Sequence, residues 1–400
     1  MRVRLGLYLD TAVTGRFSMA AALAVLAAAC SSTGAVSPGP PRHDAGTTDA
    51  PGKTDAAGGT SGHGDAATHG DAAPADGGVP ADCTLGPGGE PTELRCTGLY
   101  LDWKTKTLAP GVRVYDPGLH LWSDGASKTR WIYLPPGTKI DTSNMDQWSF
   151  PKGTKLWKEF VVNGVRLETR LIWKRPTGMW YMTTYRWSAD GSRTDELTSG
   201  EPGPDAGSYE IPTQNNCFDC HSGRRDAVLG FEAVALSSPG ASGVTMATLK
   251  AENLLTDPPA APLVIPGDAK AVAALGYLHM NCGTSCHNRD NSNDAVSSGL
   301  FLRLDVATLG SVQSTDTWKT GMNVNASHGI PGVADSKEFV PCDVASSTAY
   351  YRMSVRDGVG NMLFKTQMPS VGSHQVDQAA LATIAAWLNS QPSCSSTVKQ

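Results

Sequence analysis

The chain has 400 residues, which is enough for two or three domains, and its formal net charge is −5. Lysine and arginine are scattered along it, so composition gives no electrostatic reason to expect a nucleic acid or an anionic membrane surface as a partner. The sequence shows no Ser-His-Asp arrangement, phosphate-binding glycine loop or His-Glu-x-x-His helix, so hydrolase and nucleotide-binding functions lack support.

Residues 1–30 are typical of a bacterial export signal. Arginines precede an apolar run, residues 19–29, that ends directly before Cys30, and this arrangement resembles a lipobox. So short a run would not span a bilayer comfortably, whereas lipidation of Cys30 would tether the mature chain. The alternative is an ordinary secretory signal, because Leu26 lies one place earlier than the usual lipobox leucine. We expect an exported protein, either periplasmic or anchored to the outer membrane through lipid.

Residues 31–82 consist mainly of small and polar residues and contain no aromatic residue. Such a segment cannot bury enough apolar surface to fold, so we predict a disordered linker with a reach of about 40 Å.

The next region, residues 83–210, is predicted to be rich in β-strands. Polar and apolar residues alternate with period two in residues 129–134, 156–162, 165–173 and 180–187. Asn163-Gly164, between the middle two runs, is a strong signal for a tight turn. The pattern indicates an antiparallel β-sandwich or small barrel, with its tryptophans packed in the core.

Beyond Pro212 the pattern changes to loops and helices. Residues 268–280 and 377–389 show the helical period, and each run begins at an acidic residue, which favours the helix dipole. The expected fold class is therefore α+β and multidomain, with a β-rich part followed by a mainly α-helical part.

The chain contains nine cysteines, and an exported protein meets an oxidising compartment in which thiols pair or carry a cofactor. If Cys30 carries a lipid, eight cysteines remain. Four of them form two closely spaced pairs, and the other four can be joined into two disulfides in three different ways. We favour Cys83 with Cys96, because the intervening loop is short, and this choice leaves Cys342 with Cys394.

The most specific motif is Cys217-Phe-Asp-Cys220-His221. Thiols about one helical turn apart can form thioethers with the vinyl groups of one porphyrin, and the following imidazole can bind its iron. The motif therefore predicts covalent haem c within residues 211–265. The alternatives are a thioredoxin-like dithiol and half of a zinc site.

A second cluster, Cys282-Gly-Thr-Ser-Cys286-His287, has three residues between its thiols rather than two. It could still hold a haem, or it could close a disulfide or bind a metal and leave His287 without a haem role. A helix entering the motif, a loop with Gln367-Met368-Pro369 and a terminal helix with Trp387 follow the order expected of a small cytochrome c domain. That domain would span residues 266–394.

Residues 97–392 resemble a bacterial family of di-haem c-type cytochromes with a β-rich N-terminal domain. The matching stretches are residues 121–128, 133–138, 214–221, 277–282 and 367–369. The resemblance implies electron transfer through haem and no particular substrate. The lengthened second motif departs from the usual family spacing, so the resemblance leaves the number of haems, one or two, undecided.

His221 and His287 are the expected iron ligands from the two motifs. For the sixth position of the second haem we choose Met368, because a thioether raises the reduction potential and the next proline stiffens the loop. Its rivals are Met322, His328, Met353 and Met362, and the candidates for the first haem are Met246, His279 and Met280.

These observations favour a membrane-tethered electron carrier that exchanges electrons with a redox partner protein. A peroxidase-like haem enzyme with one open iron position is the second hypothesis, and it leaves open whether the chain is an enzyme. In a third hypothesis, the β-rich part is a binding module and both cysteine clusters have structural roles. Asp124, in a Trp-Ser-Asp-Gly sequence, is interpreted as a turn residue rather than a catalytic carboxylate.

Overall fold

The computed structural model describes residues 80–204, 209–289, 294–357 and 366–396. The predicted export signal, the lipidation site at Cys30 and nearly all of the predicted linker lie outside these residues, so they stay predictions. Met362 also lies outside them.

The β-structure is antiparallel. In chain order the strands are β1 (Tyr100–Asp102), β2 (Thr107–Leu108), β3 (Val112–Asp116), β4 (Ser127–Tyr133), β5 (Lys155–Val162), β6 (Val165–Lys174), β7 (Trp180–Trp187), β8 (Thr194–Glu196), β9 (Glu201–Pro202), β10 (Glu210–Ile211) and β11 (Ser242–Gly243). Strands β1 and β2 pair with each other, as do β9 and β10, and the others form one sheet in the order β11-β3-β4-β5-β6-β7-β8.

The four alternating runs of the sequence coincide with β4 to β7, and the predicted tight turn joins β5 to β6. Asn163 has φ 50° and Gly164 has φ 81°, the left-handed conformations that a two-residue hairpin turn requires. The β-rich prediction is thus confirmed for these strands.

The sheet is open, with β11 and β8 at its edges, so the expectation of a sandwich or barrel is wrong. Its faces are covered by chain segments that lie outside the sheet. One face buries Trp131, Trp157 and Trp187 against the segment that carries Leu94 and Leu99. That segment and the region after β10 cover the apolar side chains on the two faces of the sheet. The fold therefore needs no second large sheet to bury them.

The opposite face of the sheet meets the region after β10. Ile132 and Leu156 pack there with Val228, Phe231 and Leu249 in one buried cluster. This packing places the first cysteine motif beside the sheet.

The α-helices are short. They are α1 (Cys217–His221), α2 (Ala233–Ser237), α3 (Met246–Ala251), α4 (Ala269–Leu278), α5 (Asp316–Gly321), α6 (Thr348–Ser354) and α7 (Gln378–Leu388). Among the described residues, none of the helices is long and apolar enough to cross a membrane.

Helices α4 and α7 are the two that the sequence predicts. The carboxylates of Asp268 and Asp377 accept hydrogen bonds from the backbone N–H of Ala271, at 2.9 Å, and of Ala380, at 3.0 Å. The predicted acidic starts are therefore N-caps, which satisfy backbone donors that a helix leaves open. The helices pack together in a core that includes Leu275, Leu278, Phe339, Leu381, Ile384 and Trp387.

Two disulfides, Cys83–Cys96 and Cys342–Cys394, are present. The favoured pairing of these four cysteines is therefore confirmed. The first closes a short loop before β1, and the second ties the segment after α7 to the loop before α6.

Candidate functional site

The first cysteine motif forms the short helix α1, and none of its five residues is fully buried. The carboxamide oxygen of Asn216, directly before the helix, accepts hydrogen bonds from the N–H and the hydroxyl of Thr213 and closes the preceding turn. Cys217 and Cys220 form no disulfide. Both thiols therefore lie one turn apart, within reach of a molecule outside the protein core.

His221 is oriented by a backbone group. Its Nδ1 donates to the carbonyl oxygen of Ala227 at 2.5 Å, so Nε2 carries the lone pair. Desolvation by the surrounding protein lowers the pKa of His221 to about 4, so the imidazole is neutral at pH 7. A neutral imidazole whose Nδ1 is held by a carbonyl has the form of a metal ligand.

The thiols differ from those of a redox-active dithiol. Desolvation raises the pKa of Cys220 to about 11, with a further contribution from the nearby Cys286, and it also raises the pKa of Cys217. A thioredoxin-like dithiol needs a lowered pKa for its attacking thiol. The thioredoxin-like alternative therefore loses support.

The second motif follows α4 through a π-helical turn, His279–Gly283. The N–H of Thr284 donates to the carbonyl of His279 at 2.8 Å, and the N–H of His287 donates to the carbonyl of Cys282 at 2.8 Å. Both bonds join residues five apart, where an α-helix joins residues four apart. The wider turn absorbs the extra residue, so His287 follows Cys282 by one turn, just as His221 follows Cys217.

His287 has the same kind of anchor as His221. Its Nδ1 lies 3.0 Å from the carbonyl oxygen of Leu300, and burial lowers its pKa. Cys282 forms no disulfide, and desolvation raises the pKa of its thiol to about 12. The donor set at each motif, two thiols followed by one oriented neutral imidazole, fits a covalently bound haem.

The two motifs are in direct contact, which the sequence analysis missed. The hydroxyl of Ser285 donates to the carbonyl of Cys220 at 2.6 Å. Gly223 packs so closely on this loop that an added Cβ would lie 1.7 Å from the carbonyl oxygen of Ser285. The sequence signal for this contact was a glycine two residues after His221, and a glycine alone does not indicate which segment packs against it.

Met368 lines a cleft together with Cys282. Its backbone N–H donates to the carbonyl of Arg352 at 2.7 Å, and Gln367, which is 3% exposed, bonds to the carbonyls of Pro369 and Ser373. Among the rivals, Met353 lines the same cleft and Met322 packs against the core around α4 and α7. Nδ1 of His328 lies 3.0 Å from the hydroxyl of Ser327.

His279, one of the three candidates for the first haem, is engaged by other residues. Nε2 of His279 lies 3.3 Å from the carboxylate of Glu232, and its Nδ1 accepts a hydrogen bond from the N–H of Leu304 at 2.9 Å. His279 is therefore a structural residue, because both of its ring nitrogens are used. Met246 packs in the cluster beneath the sheet, and Met280 is fully buried.

In the part of the chain that the structure describes, no group of three or more His, Cys, Asp and Glu residues is placed to hold one metal ion. The half zinc site considered for the first motif thus has no second half among these residues.

Asp124 lies in the predicted turn, with φ 48°. Its buried carboxylate also accepts hydrogen bonds from the backbone N–H of His374 and Gln375, at 2.9 Å and 3.0 Å. These bonds hold the segment that follows the Met368 loop, a role that the turn prediction did not include.

Comparisons with known proteins complete this description. A scan against protein families finds no matching family, and searches of curated proteins and of solved structures find no match.

Proposed function

We propose that this protein is an exported c-type cytochrome that transfers electrons through haem bound at Cys217, Cys220 and His221 and through a second haem at Cys282, Cys286 and His287. The observation that carries the proposal is the shared arrangement of the histidines. Each follows a cysteine pair, and each has its Nδ1 engaged by a backbone carbonyl, which directs the lone pair of Nε2 away from the protein backbone.

A bound haem would supply a one-electron iron couple. The thiols would hold the porphyrin, and His221 and His287 would each bind one iron. Met368 would bind the second iron from across the cleft that it shares with Cys282. The protein would set the reduction potential through these ligands and the polarity around them.

The order of the short helices and loops after β10 is a further support for this assignment. Helix α4 leads into the second motif, the Met368 loop follows α6, and α7 packs on α4. This order is that of a small cytochrome c domain, which we propose for residues 266–394. The disulfides favour an oxidising compartment, so lipidation of Cys30 and transfer to a redox partner protein complete the proposal, with no role for nucleic acid.

Mass spectrometry of the purified mature protein tests the proposal. We expect two covalent haems in the unmodified protein and one in each of two double variants, Cys217→Ala/Cys220→Ala and Cys282→Ala/Cys286→Ala. The control is Cys83→Ala/Cys96→Ala, which removes a disulfide that belongs to neither motif and should retain both haems. Absence of covalent haem from the unmodified protein, expressed with haem-attachment machinery, would refute the proposal and select structural cysteine clusters.

A second candidate is a peroxidase-like enzyme, which the environment of the first motif favours. His279 is engaged at both ring nitrogens, so the one histidine among the candidates does not supply a sixth ligand. Prompt perturbation of the visible spectrum by cyanide or peroxide would indicate an open iron position. An unchanged spectrum would favour the electron carrier.

A further inference from the structure

Three basic residues lie side by side on the face of the sheet next to the first motif. In register, Arg130 of β4 is opposite Lys158 of β5, and Lys158 is opposite Arg170 of β6. Like charges directly opposite each other on one sheet face repel, so this row is unfavourable unless negative charge lies beside it.

The chain on either side of the first motif shows that α1 lies over this row. Leu156, Lys158 and Phe160 alternate onto the same face of β5. Leu156 belongs to the same buried cluster as Val228, which follows the motif, and Phe160 packs with Tyr209, which precedes it, at a ring-centroid distance of 6.2 Å. Lys158, between them, is therefore beneath the motif.

The outer members of the row have carboxylate partners. Arg130 pairs with Asp116 at 2.9 Å, and Arg170 pairs with Glu168 at 2.6 Å. The side chain of Lys158, by contrast, forms no hydrogen bond or ion pair with another residue in the described part of the chain. Burial and the neighbouring cations lower the pKa of Lys158 well below its usual value.

We propose that Lys158, flanked by Arg130 and Arg170, is the binding site for the propionate carboxylates of the haem attached at Cys217 and Cys220. This inference rests on the proposed function and adds an anion site to it. Carboxylates between these cations would form charge-assisted hydrogen bonds in a partly desolvated position, where such bonds are strong. They would also offset the repulsion along the row.

The test is the midpoint potential of the first haem in the purified holoprotein. Its step in the redox titration is identified as the one lost in the Cys217→Ala/Cys220→Ala variant. In Lys158→Met and Lys158→Gln, the propionate carboxylates lose a positively charged partner. Their negative charge is then less compensated, so it disfavours reduction of the iron. We expect a potential about 60 mV lower, a tenfold change in the equilibrium constant for one-electron reduction.

Two further variants separate charge from structure. Lys158→Arg keeps the positive charge and should retain the potential of the unmodified protein. Lys152→Met removes an exposed lysine that precedes the same strand, and it should also leave the potential unchanged. An unchanged potential in Lys158→Met and Lys158→Gln, with haem present at Cys217 and Cys220 by mass spectrometry, would overturn the inference and leave the proposed function intact.

A free oxyanion such as inorganic phosphate is the other anion that these three cations would bind. The titration is therefore repeated in inorganic phosphate and in chloride at equal ionic strength. Equal potentials in the two salts support propionate as the occupant. A phosphate-dependent potential that is lost in Lys158→Met would assign the site to a free oxyanion instead, and absence of haem from Cys217 and Cys220 would refute the proposed function itself.

Discussion

At the scale of single residues, one buried hydrogen bond joins a carboxylate to a histidine. Glu232 is 4% exposed, its carboxylate caps α2 by accepting the N–H groups of Val234 and Ala235, and it contacts His279. Desolvation raises the pKa of Glu232, but the hydrogen bonds that it accepts from His279 and from the backbone N–H of Val234, together with the charge of Arg224, dominate and lower it to about 2. The carboxylate form therefore stabilises the folded state.

The lowered pKa predicts a pH-dependent loss of stability in Glu232→Gln. A carboxylate with a folded pKa of about 2 and an ordinary value of 4.5 contributes fully above pH 4.5 and loses that contribution as the pH falls towards 2. We expect a loss of about 3 kcal/mol in the free energy of unfolding at pH 7 and of about 1 kcal/mol at pH 3, measured by urea unfolding.

Glu252→Gln is the matched control, because Glu252 forms an ion pair with Arg113 but is 46% exposed. Exposed pairs contribute less than about 1 kcal/mol, so this variant should be nearly neutral at both pH values. A loss in Glu232→Gln that is the same at pH 3 and pH 7 would contradict the assigned role of the carboxylate.

At the scale of elements, the contact between the two cysteine motifs depends on shape. Helix α1 and the loop between Cys282 and Cys286 approach each other through Gly223 and Ser285. The π-helical turn before the loop places Ser285 at this contact while it keeps His287 one turn after Cys282. Neighbouring haems would favour direct electron exchange between the two sites.

We predict that Gly223→Ala destabilises the protein by about 1–3 kcal/mol, because an added Cβ would lie 1.7 Å from the carbonyl oxygen of Ser285 and the motifs would have to separate. Urea unfolding measures the loss. Gly310→Ala is the control, since an added Cβ there meets no atom within 4 Å. Equal stability of the two variants would show that the motifs are not closely packed at Gly223.

At the scale of the whole molecule, Asp124 joins parts of the chain that are 250 residues apart in sequence. Asp124 lies in the loop before β4. Its carboxylate accepts hydrogen bonds from backbone N–H groups in the segment between the Met368 loop and α7. Arg356 donates to the hydroxyl of Ser373 at 3.0 Å in the same segment. The β-rich part thus helps to position Met368, the ligand that we propose for a second haem.

Asp124→Ala should lower the free energy of unfolding by about 2 kcal/mol, because it removes the acceptor of two part-buried backbone N–H groups and of the buried Ser373 hydroxyl. Hydrogen exchange should show faster exchange at His374 and Gln375 specifically. Asp102→Ala removes an exposed turn carboxylate that accepts the N–H of Lys104, and its loss should be smaller. Unchanged exchange at His374 and Gln375 in Asp124→Ala would refute this positioning role.

The amino-acid sequence by itself determined the local features of this protein. The runs that became β4 to β7, the turn at Asn163-Gly164, the capped helices α4 and α7 and the cysteine motifs all depend on residues within a few positions of each other. Alternation, capping and turn conformation are local properties, so they can be predicted from a short window of sequence. The disulfide pairing followed from a short loop and from elimination.

Only the tertiary structure decided how these features meet. It provided the carbonyls of Ala227 and Leu300 that orient the histidines, the contact between the motifs and the row of Arg130, Lys158 and Arg170. It also replaced the expected sandwich or barrel with an open sheet whose edge strand β11 comes from the region after α2. Such pairings depend on strand register and on packing between distant segments, for which a local pattern carries no information.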